Sequence, residues 1–68
     1  MIRYAPATNL HCGSLVWIEV SPYIYVIAEV NALGRGGAAG GAKAEVTILN
    51  CNTVQFVPVE EVLEKYIA

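Results

Sequence analysis

Charged side chains are scarce in this chain: four Lys and Arg and six Asp and Glu, 15% of 68 residues. The cations, Arg3, Arg35, Lys43 and Lys65, form no run, and the formal net charge is -2. A surface that tracks phosphates needs clustered cations, so the composition disfavours a nucleic-acid partner. Cysteine is nearly absent as well. Cys12 and Cys51 are too few for a disulfide scaffold and read as small residues of a reducing, cytoplasmic compartment. The one histidine, His11, has no carboxylate or serine partner in a recognisable motif. His11, Cys12 and Cys51 are three strong ligands where a zinc site usually takes four. No catalytic set, metal site or cofactor is therefore expected.

Long apolar runs are missing too. The opening residues MIRYAPATNL hold no h-region of a secretory signal. The longest apolar-looking stretch, LVWIEVSPYIYVIAEV, is broken by Glu19, Pro22 and Glu29, so no membrane span is expected.

What the chain does have is hydrophobic content, 56% of its residues. Sixty-eight residues make one domain at most. So small a domain cannot hide that much apolar surface alone, and a homo-oligomer is the expected state, with a heterologous protein as the other candidate partner.

The pattern is that of strands. Residues 1–12, with Pro6, Thr8 and Asn9, favour an irregular arm, and the domain proper runs over 13–68. Leu15 to Val20 alternates, with Val16, Ile18 and Val20 on one side. Ser21-Pro22 signals a turn, and a longer strand follows with Ile24, Val26, Ala28 and Val30 on one face. GRGGAAGG, 34–41, holds five glycines in eight residues and reads as a hairpin loop. It lacks the Lys-Ser or Lys-Thr pair and the helix that a phosphate cradle requires. Lys43 to Leu49 resumes a strand with Ala44, Val46 and Ile48 inward. Asn50-Cys51-Asn52 is a tight turn, and Thr53 to Val57 is a last strand, with Val54 and Phe56 inward, ended by Pro58. Beyond it Val59, Val62, Leu63 and Tyr66 recur at helical spacing, which predicts a short helical turn capping the domain. Four or five short antiparallel strands with this turn point to an all-β, SH3-like barrel.

The alternation leaves Leu15, Trp17, Tyr23, Tyr25, Ile27, Leu49 and Val57 outside. That is more apolar and aromatic surface than a monomer usually exposes, so these residues are the expected interface. Trp17, Tyr23 and Tyr25 also make a candidate aromatic cage.

Val54-Gln55-Phe56-Val57-Pro58-Val59, followed by Glu60-Glu61-Val62-Leu63-Glu64, resembles the closing strand of the plasmid-borne type II dihydrofolate reductases. Gly13, Val16 and the stretch Tyr25 to Val30 overlay the strands before it. The resemblance implies an SH3-like barrel assembled as a homotetramer around a pore, lined in that family by Val-Gln-Ile-Tyr. Carried across, Gln55 matches the glutamine, Phe56 the isoleucine and Val57 the tyrosine, so Gln55 and Phe56, with Trp17 nearby, become candidate ligand-binding residues. The tyrosine hydroxyl is lost, and Ile18 stands near the place of a ligand-binding lysine. An acidic pore without that cation attracts anionic ligands poorly, which disfavours reductase activity.

Overall fold

The computed structural model describes residues 1–34 and 41–68. Within them the chain forms six strands: β1 (Ile2–Pro6), β2 (Leu15–Ser21), β3 (Ile24–Gly34), β4 (Lys43–Ile48), β5 (Thr53–Pro58) and β6 (Leu63–Ile67). All pair antiparallel in one sheet of order β1-β6-β2-β3-β4-β5, which is not closed. The glycine-rich loop expected at 34–41 lies, from 35 to 40, outside the described residues.

One sheet with no second layer buries a face only by curling on itself. Two irregularities, between Glu19 and Ser21 and between Val30 and Ala32, supply local bends of the kind that extra residues produce. The enclosed face holds Val16 and Ile18 of β2, Ala28 and Val30 of β3, Ala44, Val46 and Ile48 of β4, and Val62. The alternation of period two predicts each of the strand residues on that face.

Four expectations need correction. Ile2–Pro6 is a strand rather than an irregular arm, paired along its whole length with β6. The expected helical turn is a single 3-10 turn, Val59–Glu61, and Leu63–Ile67 is a strand. Both changes have one cause. A two-turn helix at the surface gains little, whereas β1 and β6 satisfy each other's backbone groups over five residue pairs. Val59 and Val62 still plug the core, as the capping role requires.

The third correction concerns phase in β5. Val57 stands opposite Ala44 and Gln55 opposite Val46, both core residues, while Phe56 faces Glu45 and Val54 faces Thr47. Directly opposed residues share a face, so Val54 and Phe56 lie outward and Val57 inward, the reverse of the expected assignment. Val57 packs half-buried against the core. Val20 and Ile24, also expected inside, are exposed: Val20 is the unpaired residue of the irregularity between Glu19 and Ser21, and Ile24 pairs with Ser21 at the turn end of the hairpin.

Candidate functional site

The outward face begins with cross-strand registers. Leu63 of β6 pairs with Trp17 of β2, and Trp17 with Ile27 of β3. Leu49 continues the row, its N–H donating to the Ile27 carbonyl at 3.2 Å. Leu63, Trp17 and Ile27 of three strands, with Leu49 just past the end of β4, thus form one apolar row. A second row runs Leu15, Glu29, Thr47, Val54, and a third holds Ala32, Glu45 and Phe56. The Asn31 amide donates to the Thr47 hydroxyl (2.7 Å) among these polar neighbours. Leu15, Leu49, Val54 and Phe56 are exposed, Phe56 at 69%.

At one end of this face the rings gather. Tyr4 of β1 stacks on Tyr25 with centroids 3.8 Å apart and planes at 12°, and meets Trp17 edge-on at 5.8 Å. The Lys65 ammonium lies 4.4 Å from the Trp17 centroid, a cation–π geometry. Partial burial, and then the Glu19 carboxylate beside it, push the Tyr25 hydroxyl above its ordinary value. Glu19 also accepts the backbone N–H of Tyr23 at 3.1 Å, inside the β2–β3 turn where Tyr23 takes φ of 66°.

Trp17 and Tyr25 thus both meet Tyr4, whereas Tyr23, 90% exposed at the turn, stacks on neither and lines an open cavity with Tyr4, Tyr25 and Tyr66. The ring cluster differs in composition from the expected cage: Tyr4 is its central member, and the cation on Trp17 is the chain's own Lys65. Tyr4 has no signal in the sequence because β1 is too short to show alternation. Tyr4 pairs in register with Lys65, and that pairing places both beside Trp17.

The three candidate ligand-binding residues do not meet within the chain. Gln55 is exposed but on the core side of the sheet edge, whereas Phe56 and Trp17 are on the outer side, with β3 and β4 between their strands. His11 does find a serine. The Ser14 hydroxyl accepts the His11 backbone N–H at 3.1 Å and lies 2.8 Å from Nδ1. The spacing of three residues around Gly13 is the signal that marks such a turn. Among the described residues no acidic group is hydrogen-bonded to that ring, so the pair lacks the orienting third member of a nucleophilic triad. Cys12 and Cys51 are free and exposed. Among the described residues no three His, Cys, Asp or Glu side chains group as metal ligands, and no helix is long and apolar enough to cross a membrane.

Comparison with protein-family models, with curated proteins and with solved structures finds no match to this chain.

Proposed function

We propose that this chain is a small SH3-like barrel of the cytoplasm that works through protein contacts, first of all with further copies of itself. The observation that carries the reading is the row Leu63, Trp17, Ile27 and Leu49, with exposed Leu15, Val54 and Phe56 beside it. A contiguous outward face of this kind favours an interface, and aromatic side chains are its usual anchors. The curled antiparallel sheet with a core on one face supports the barrel reading.

A second reading draws on the exposure of Gln55 and Phe56 at the sheet edge. In an oligomer that edge would supply a ligand site between subunits, as in the type II dihydrofolate reductases. Separation of Trp17 from Gln55 within one chain means that such a site exists only with contributions from more than one copy.

Light scattering from low micromolar concentration upward tests the first reading. A discrete oligomer of constant mass is expected, and a monomer throughout overturns it. Titration with a nicotinamide cofactor and with folate, followed through the single tryptophan, tests the second. An unchanged Trp17 emission removes it.

A further inference from the structure

We infer that β5 is the assembly edge, pairing antiparallel with β5 of a second copy about a two-fold axis beside Gln55. The inference rests on the self-association proposed above and adds its surface and register. β5 is hydrogen-bonded to β4 on one side, and among the described residues no strand lies on its other side. A free edge presents unpaired N–H and C=O groups, and the group that satisfies the whole row is another strand.

Proteins ordinarily blunt such edges with charge or proline. Thr53–Val57 carries neither, and Pro58 is only the last residue of the strand. Thr53, Val54, Gln55 and Phe56 are all exposed, so this part of the strand is covered on neither face. The opposite edge, β1, is of the protected kind, with Arg3 and Pro6 in its five residues.

The occupant follows from the side chains. Thr-Val-Gln-Phe-Val is nearly symmetric in character about Gln55. With Gln55 opposite its own counterpart, Val54 faces Phe56 of the second copy and Phe56 faces Val54. Pairs of a β-branched and an aromatic residue are among the favourable cross-strand combinations. The two Gln55 amides then meet on the other side, each carrying both donor and acceptor. A one-residue slip turns the second sheet over, setting its outer face on the core side of the first. A two-residue slip either sets Phe56 against Asn52 or brings Pro58, which has no N–H, into the ladder.

Charge agrees with this choice. The chain is net negative, so two copies repel at long range. Contact along Thr53–Val57 brings no like charges face to face. The pairing is isologous, so it closes at two subunits instead of propagating, and it joins the two outer faces into one surface.

Cysteine cross-linking tests the register, in a Cys12→Ser, Cys51→Ser background that removes both exposed native thiols. Gln55→Cys opposes itself within disulfide reach. Thr53→Cys lies about 13 Å from its counterpart in the same register. Mild oxidation is expected to link Gln55→Cys at least about tenfold faster than Thr53→Cys. Val54→Lys, which puts a charge on the edge strand without altering the core, is expected to weaken the dimer at least about tenfold by light scattering. A dimer that Val54→Lys leaves intact and in which both cysteines link equally overturns the edge while self-association stands. A monomer at every concentration overturns both. An open-ended polymer signals β1 of one copy on β5 of the next and overturns the two-fold pairing.

Discussion

The Lys65 ammonium sits 4.4 Å from the ring centroid of Trp17, held there because β6 lies between β1 and β2. This contact joins the last strand to the middle of the sheet. Lys65→Met keeps the aliphatic stem over the indole and removes the charge. It is expected to cost about 0.5–1 kcal/mol, the range for an exposed cation–π pair, and to shift Trp17 emission. Denaturant unfolding at low micromolar concentration measures both. Identical curves and spectra would show that the ammonium does not rest on the ring in solution.

Tyr25 makes stability depend on alkaline pH. Partial burial and the neighbouring Glu19 carboxylate raise its pKa above the ordinary 10.0, so the folded state holds the phenolic proton more tightly than the unfolded chain does. The resulting stabilisation is fully present below about pH 10 and is lost as pH rises through the higher folded value. Tyr25→Phe has no such proton, so its melting temperature should fall less steeply between about pH 9 and pH 11. Parallel slopes for the two proteins would contradict the assignment.

Val62 is fully buried, whereas Tyr66, which helical spacing would set on the same face, is 44% exposed. Val62→Ala should therefore destabilise by about 2–3 kcal/mol through the lost methyl groups and the cavity they leave. Tyr66→Ala, at a position 44% exposed, should cost less than Val62→Ala. Similar losses at both sites would favour the helical arrangement over the β1–β6 pair.

Gly13 takes φ of 92° and donates its N–H to the Val30 carbonyl at 2.8 Å. A Cβ there meets no atom within 4 Å, so the objection to a side chain is backbone strain alone. Gly13→Ala is expected to lower stability by about 1 kcal/mol, and Gly13→Val by more, since a β-branched residue tolerates this region least. A chemical melt in which Gly13→Ala matches the parent would mean that the turn relaxes to negative φ.

By itself the sequence determined the β class and most of the core. Val16 and Ile18, Ala28 and Val30, and Ala44, Val46 and Ile48 alternate with residues of different character or place, and strand geometry turns that alternation into a face. It also marked Asn50 to Asn52 as a turn, and Asn52 takes the left-handed φ of 56° that asparagine tolerates. Tertiary structure decided the rest wherever the pattern has no phase or two periods fit. Val54, Phe56 and Val57 are apolar on both sides of Gln55, so only pairing with β4 settles which of them face out. Val59, Val62, Leu63 and Tyr66 fit a helix, but β1 and β2 offer the backbone of 63–67 partners that a lone turn lacks. Tyr4 acquires its place against Tyr25 and Trp17 only when the curled sheet brings β1, β2 and β3 near one another, a contact between segments too distant in the chain for any local periodicity to encode.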